Sequence, residues 1–464
     1  MIQRLKAKPV YPSNIPVDEL PDKICKFFIE KINKIQMKFT DGEDVPKQPD
    51  AATSGPKLEK FRPVTQEETQ KLIIGSPTKS CSLDPIPTFL LKECVLEFTP
   101  MLTKIINASL TSATVPSSFK RAVVTPLLKK ATLDRDELSS YRPVSNLSFA
   151  SKLLEKVVAK RLQEHKQQNN LYEAFQSAYR SGHSTETAIL RVQNDILRAI
   201  DNGEAVFLVL LDLSAAFDTV SHKLLTERLQ SDFGVKGDAL EWITSYLSNR
   251  FQSVSIENRM SSPVQLECGV PQGSVLGPDL FSDYSSPVAS IIRSHGISVH
   301  CYADDTQLYI TFKPGLTEHE ALCKLESCIA ELRVWMNKNR LKLNDSKTEF
   351  IVFGSASILK KVKTKVIQIG EEQITAVTSV RNIGAYMDAR LKMEKHLNMV
   401  CKSAWFHLFR IGKIRQYLTV DQAKAVIHAY VTSRLDMNNS LMTGMSHTPV
   451  SKNCRRSNMQ QLGL

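Results

Sequence analysis

Residues 205–212, AVFLVLLD, form a continuous apolar run that ends in an acid. A short run this uniformly apolar suits a central strand buried on both faces, although a short buried helix gives the same pattern. Residues 297–311, ISVHCYADDTQLYIT, offer it a partner: β-branched and aromatic residues flank an acidic pair and read as strand, tight turn, strand. Together they call for a mixed core with Asp212 at a strand end and Asp304-Asp305 in a turn. Asp is common in turns for reasons unrelated to chemistry. Three carboxylates gathered beside a core, however, repel one another, and a cation must offset them. Two Mg²⁺ ions, or Mn²⁺ in their place, suit carboxylate and phosphate oxygens. Held about 3.5–4 Å apart, two such ions stabilise the attacking and leaving oxygens of a phosphoryl displacement.

The rest of the chain is read around that core. Residues 18–39 carry Ile24, Phe27, Phe28 and Ile32 at helical spacing, with Pro21 suited to a first turn. Residues 40–60 are polar and rich in Pro, Gly and Asp, as linkers are. From 66 to 200 the pattern is mainly helical, with a strand at 122–128 and an extended turn at 139–148. Leu153, Leu154, Val157, Val158 and Leu162 make one apolar helix face. Helices are expected over 214–230 and 318–339, and a short strand over 349–353. The region beyond 389 is helical and basic, and Thr419 with Gln422 forms a capping-box pattern. The expected division is a helix plus linker (1–65), a helical region (66–200), a mixed α/β core (201–388) and a helical tail (389–464), an α+β protein overall.

A net charge of +12 and a pI near 9.1 favour polyanionic partners such as RNA or DNA. The nine cysteines show no CxxC pair or zinc spacing, which reads as reduced thiols in an intracellular protein of nucleus or cytoplasm. Neither a signal peptide nor an apolar run of membrane-spanning length is visible, so no membrane partner is expected.

Six segments occur in one order: YRPVSNLSFASKLLEKVVAKRL, FQSAYRSGHSTETA, FLVLLDLSAAFDTVSH, GVPQGSVLGP, HCYADDTQLYI and LKLNDSKTEFIVFG. This series resembles the reverse transcriptases of non-LTR (LINE-type, jockey-like) retrotransposons over about residues 115–355, within a domain expected over about 110–385. The resemblance implies a right-hand polymerase fold: helical fingers, a mixed α/β palm built on an antiparallel sheet, and a helical thumb. The implied activity is RNA-directed DNA synthesis, with an RNA template, a DNA primer or target DNA, dNTPs and two divalent metal ions. The similar elements carry an upstream endonuclease domain, and nothing before residue 66 reads as one; a shortened copy of an element is the expectation.

By the same resemblance, Asp212, Asp304, Asp305 and the Leu213 carbonyl hold metal. Phe217 matches a steric gate that excludes a 2′-hydroxyl by filling its space, whereas a palm enzyme making RNA usually carries Asp there. Gln272 and Gly273 lie nearest the incoming dNTP. Arg142, and Lys129 or its neighbour Lys130, suit the triphosphate. Lys347 matches a lysine able to protonate departing pyrophosphate. Arg180 matches a template contact, and residues 382–386 fall where a primer-gripping hairpin lies. Lys395, Lys402, Arg410, Lys413 and Arg415, interleaved with Trp405, Phe406 and Phe409, suit a duplex backbone.

One stretch departs from the family. After GVPQGSVLGP an apolar helix is usual, yet here Asp279, Asp283 and Ser285-Ser286-Pro287 intervene. The expectation is an interrupted helix and weakened packing, because interior Pro and unpaired buried Asp are both costly. On that basis the alternative function is a degenerate or co-opted copy that binds nucleic acid without synthesis.

Overall fold

The computed structural model describes residues 11–39 and 55–443. Most of the 40–60 linker and the final segment with Cys454 lie outside the described residues. The chain divides into two compact units. One comprises residues up to 174, 214–286 and 334–342; the other comprises 175–213, 287–333 and 343 onward.

In the first unit the strand Arg121–Leu128 pairs antiparallel with Tyr141–Asn146 and parallel with Arg250–Ile256. The expected extended turn over 139–148 is therefore a sheet strand, with six residues in register, Val123 facing Asn146 through to Leu128 facing Tyr141. Its central Pro143, which faces Pro126 across the ladder, hid this. The helix Leu20–Gln36 opens with proline in its first turn and covers the sheet. Its Leu20, Ile24, Cys25 and Phe28 pack with Val124, Tyr141, Val254 and Ile256.

The helix Phe149–Gln168 buries Leu153, Leu154, Val157, Val158 and Leu162, the face its periodicity marks. It also buries Glu155 and Lys166, which the pattern does not explain. Lys166 pairs with Asp283 at 2.9 Å, and Gln163 donates to Asp279 at 2.8 Å. The segment expected to be interrupted is thus the helix Gly277–Ser285, whose two acids are partnered. Pro287 opens the following helix, Pro287–Ser294, rather than breaking one. A first-turn proline lacks only an N–H that the helix leaves unpaired anyway.

A helix over 214–230 is not what forms. Ala215 takes a left-handed conformation (φ 53°), Ala216–Asp218 is a single tight turn, and the helix proper is His222–Ser231, capped by Ser221. The Ser214 N–H goes to the Lys342 carbonyl at 2.8 Å, so a bond distant in sequence overrides the propensity of LSAAFD.

In the second unit Ala205–Leu211 lies between Asp305–Phe312 and Glu349–Phe353, and Ser298–Tyr302 pairs with the outer edge of Asp305–Phe312. All three pairings are antiparallel. The central strand is buried on both faces, as its composition requires. On one face Val206 and Leu208 join Ile189, Val192 and Ile196 of the helix Thr185–Asp201. On the other, Phe207 stacks on Phe312 at 3.9 Å and lies 5.5 Å from Phe350. The hairpin Ser379–Asn382/Ala385–Asp388 adds Val380, Ala385 and Met387 to the first face. Next comes the basic helix Glu394–Ile414, whose Ala404, Leu408 and Ile411 pack with Val431. Thr419 and Gln422 form the expected reciprocal cap.

The fold is mixed α and β with predominantly antiparallel sheets, which agrees with the α+β expectation. Among the described residues no cysteine is in a disulfide. Among the described residues no helix is long and apolar enough to cross a membrane.

Candidate active site

The acidic hairpin is a two-residue turn. Tyr302 pairs with Asp305 across it, and Ala303 sits at φ 58°. Such a conformation costs an alanine about 1–2 kcal/mol, so neighbouring groups must hold it. Gln176 does so: its side-chain oxygen accepts from the Ala303 N–H (3.0 Å) and its amide donates to the Ala303 carbonyl (3.3 Å). The chain before and after it is fixed to the hairpin strand. Cys301 donates its N–H to the Phe175 carbonyl, and Ser177 donates to the Cys301 carbonyl. FQSAYR therefore acts as a splint for the turn. Sequence reading took only Arg180 from that motif; the available signal was a polar Gln between Phe175 and Ala178.

Asp212 follows directly on the central strand. Its Oδ2 accepts from the Lys347 ammonium (3.0 Å) and from the Asn344 side-chain amide (2.9 Å). Asn344 also donates its backbone N–H to the Asp212 carbonyl. Leu213 bridges to Leu343. LKLNDSK thus delivers two side chains to one carboxylate oxygen, and Asn344 is the partner that sequence reading passed over.

Asp304 and Asp305 both feel the charge of Asp212. Burial first, then the Asp212 charge, raises the Asp304 pKa, with Lys347 opposing. Asp305 is exposed as a residue, yet loss of water around its carboxyl, followed by Asp304 and Asp212, pushes it to about 6. Like-charge repulsion of this kind marks a site short of positive charge. All-oxygen donors with excess negative charge fit a hard divalent cation. Lys347 now supplies a cation at Asp212, and among the described residues no group of three or more His, Cys, Asp or Glu side chains already surrounds one point as metal ligands do.

In the first unit, the loop after Val270 carries Gln272 and Gly273. The Gln272 carbonyl accepts from the Ser145 N–H at 2.8 Å, and its side-chain amide donates to both Asp218 oxygens at 3.1 Å. Gly273 has φ 118°, and a Cβ there would meet the Ser145 carbonyl oxygen at 2.4 Å, so no other residue fits. Glu155, wholly buried, accepts from the backbone N–H groups of Val275 (2.7 Å) and Leu276 (3.1 Å) and from Tyr246. It fixes the loop's far end. Burial raises the Asp218 pKa to about 6 against the pull of Lys31 and Gln272.

Phe217 is half-buried and stacks on Phe281 at 4.7 Å, which sets the plane of its ring. Arg142 is exposed on its strand; Lys129 is exposed and donates to the Ser139 carbonyl, and Lys130 is exposed beside it. Back in the second unit, Arg180 is half-buried just after the splint. Lys395 donates to Ser379 Oγ and lies 5.0 Å over the Tyr386 ring, on the hairpin expected near 382–386. Lys402, Arg410, Lys413 and Arg415 are all exposed. Arg410 lies over Phe406 and Lys413 over Phe409, so charge and exposed ring surface alternate along one helix.

The site thus brings together a strand-end Asp, an acidic hairpin and a lysine reaching the first acid. Residues 128–387, over half the chain, match the family described as reverse transcriptase (RNA-dependent DNA polymerase), and the chain belongs to that family. Curated relatives from Drosophila melanogaster include the probable RNA-directed DNA polymerase from transposon BS, 29% identical over 74% of this chain and 38% of the relative. The RNA-directed DNA polymerase from mobile element jockey is 27% identical over 73% of this chain and 36% of the relative. The X-element polymerase gives 27% over 71% and 36%. The expected kinship with non-LTR, jockey-like elements holds. The match spans a little over a third of the length of these relatives.

Proposed function

We propose that this chain is an RNA-directed DNA polymerase, extending a DNA primer on an RNA template with dNTPs, as a step in retrotransposon copying. One observation carries the reading: the Asp212 charge adds to burial in raising the proton affinity of Asp304 and Asp305, while Lys347 sits on Asp212. A site with that imbalance suits a substrate and cofactor that together bring divalent cations and a triphosphate.

In this reading Asp212, Asp304, Asp305 and the Leu213 carbonyl would hold two Mg²⁺ ions, with Mn²⁺ as a substitute. When bound, the ions neutralise developing charge on the phosphoryl oxygens and favour the primer 3′-alkoxide. The chain's own groups do the remainder. Arg142 and Lys129 or Lys130 bind the triphosphate, Gln272 and Gly273 border the sugar and base, and Phe217 fills the space of a 2′-hydroxyl. Lys347 leaves Asp212 and gives its proton to the departing pyrophosphate. Arg180 meets the template, residues 382–386 grip the primer, and Lys395, Lys402, Arg410 and Lys413 follow the duplex backbone. The matching architecture is the right hand: fingers over 66–200, palm over 201–388, thumb from 389.

The pairing of Asp279 with Gln163 and of Asp283 with Lys166 removes the packing argument for a degenerate copy. The test is extension of a DNA primer on an RNA template by the full chain. Incorporation of dNTPs in preference to rNTPs supports the proposal; equal use of both would overturn the DNA assignment.

A further inference from the structure

A cavity of about 270 Å³ lies on the first unit, and none of the residues that line it is assigned a role above. Its lining is Phe27, Glu30, Lys31, Lys34 and Ile35 of the helix Leu20–Gln36 and Lys38 in the turn just after it, with Ser214 and Lys342 opposite. Phe27, Lys31 and Lys34 recur at four and three residues, which places them in one stripe, and Lys38 continues it past the helix end. The spacing is no accident of a free helix, because this helix is fixed. Its apolar face is docked on the sheet through Leu20, Ile24 and Phe28. Near its start Asp22 accepts from the Ser262 N–H at 3.0 Å, and at its end Gln36 donates to the Thr219 carbonyl at 3.3 Å.

Lysines on a helix surface are commonly solvated and paired with acids of the same face. Here four ammonium groups line one cavity with a single carboxylate, Glu30, whose own neighbour is Lys26 at 3.9 Å. Among the described residues no carboxylate forms an ion pair with Lys31, Lys34 or Lys38. The charge of Lys31 reaches the buried Asp218, but that carboxyl is already held by Gln272. Concentrated positive charge on a rigid frame, with an aromatic edge and a hydroxyl beside it, is the chemistry that recognises phosphodiesters. From Lys31 to Lys34 the helix rises about 4.5 Å, and Lys38 follows in the turn past Gln36, so the three lysines can meet successive phosphates of one strand. A single basic stripe beside a small cavity suits one strand, whose backbone such a groove can track.

We propose that the Lys31–Lys34–Lys38 stripe with Lys342 binds the sugar–phosphate backbone of single-stranded nucleic acid. The polymerase reading explains why such a strand would be at hand; the binding itself does not require catalysis.

The experiment measures binding of a fluorescent oligouridylate to the full chain without divalent metal or dNTP, as a function of KCl. The variants are Lys31→Gln/Lys34→Gln/Lys38→Gln and the same three positions changed to Arg. For a single strand each lost phosphate contact flattens the slope of log K against log salt by about 0.7. The Gln variant should therefore lose about 2 from the slope, and the Arg variant should keep it. Unchanged affinity and slope in the Gln variant would overturn the proposal. So would a weakening seen only with an RNA–DNA duplex, or a raised dNTP KM with oligouridylate binding intact. Asp304→Ala protein should bind as wild type does, so a failure of polymerisation leaves this test standing.

Discussion

The Lys347 ammonium lies 3.0 Å from Asp212 Oδ2, so the lysine assigned to pyrophosphate and the first acid of the site are partners before any substrate arrives. Both groups are partly open to water, and an ion pair so placed adds little stability. Its value is positional. Lys347→Ala should lower kcat by on the order of a hundredfold, the low end for a lost general acid, with little change in dNTP KM. Lys347→Arg should not restore it, because a guanidinium does not give up its proton. Full rescue by Arg in single-turnover kinetics would assign Lys347 a purely electrostatic task.

Asp305 carries the clearest pH dependence. Its folded-state pKa is about 6, raised first by lost hydration and then by Asp304 and Asp212. The ionised form therefore opposes folding. The sign follows: stability contributed by the neutral acid is lost as pH rises from the ordinary carboxylate range through about 6. Asp305→Asn should raise the Tm of metal-free protein above that pH and leave it unchanged in strong acid. A Tm gain independent of pH would contradict this. In wild type, added MgCl₂ should raise the Tm in the same pH range, and Asp212→Asn should blunt that rise.

Lys166 and Asp283 form a buried pair, both nearly inaccessible. Lys166→Met strands the carboxylate and should cost about 3–5 kcal/mol. The double variant Lys166→Met/Asp283→Leu should recover most of it. Denaturant unfolding of the four proteins in a cycle reads the coupling; additive losses would show that the two side chains act separately.

These pairs also show where sequence was informative. The central strand was legible because AVFLVLLD is apolar at every position, and burial on both faces demands that. The acidic hairpin was legible because its strands are β-branched and aromatic around two turn residues. Helix Phe149–Gln168 was legible on its apolar face alone. Lys166 and Asp283, 117 positions apart, satisfy each other only in three dimensions, so each read as a liability. Tyr141–Asn146 was missed because a strand with a central Pro imitates a turn, and the helix expected over 214–230 failed on a left-handed Ala215 that no propensity marks. Of the site, the acids and Lys347 stood out by motif. Gln176 and Asn344 did not, because their work is to hold a backbone and a carboxylate.

Gln176→Ala should test that positioning. It removes both bonds to the Ala303 peptide and leaves the turn's backbone to water or to nothing, a loss of about 1–3 kcal/mol. Turnover should fall while dNTP KM and far-ultraviolet circular dichroism stay near wild type. Faster amide exchange across residues 302–305 would locate the effect. Wild-type turnover in a folded Gln176→Ala protein would rule out the splint.

The central claim is that three acids make this a polymerase, and primer extension by wild type beside Asp304→Ala measures it directly. With RNA template, DNA primer, dNTPs and Mg²⁺, wild type should give template-length product that disappears on chelation. Asp304→Ala, folded to the same Tm within a few degrees, should lose on the order of a thousandfold in rate. Absence of metal-dependent product from well-folded wild type, or equal product from both proteins, would contradict the account.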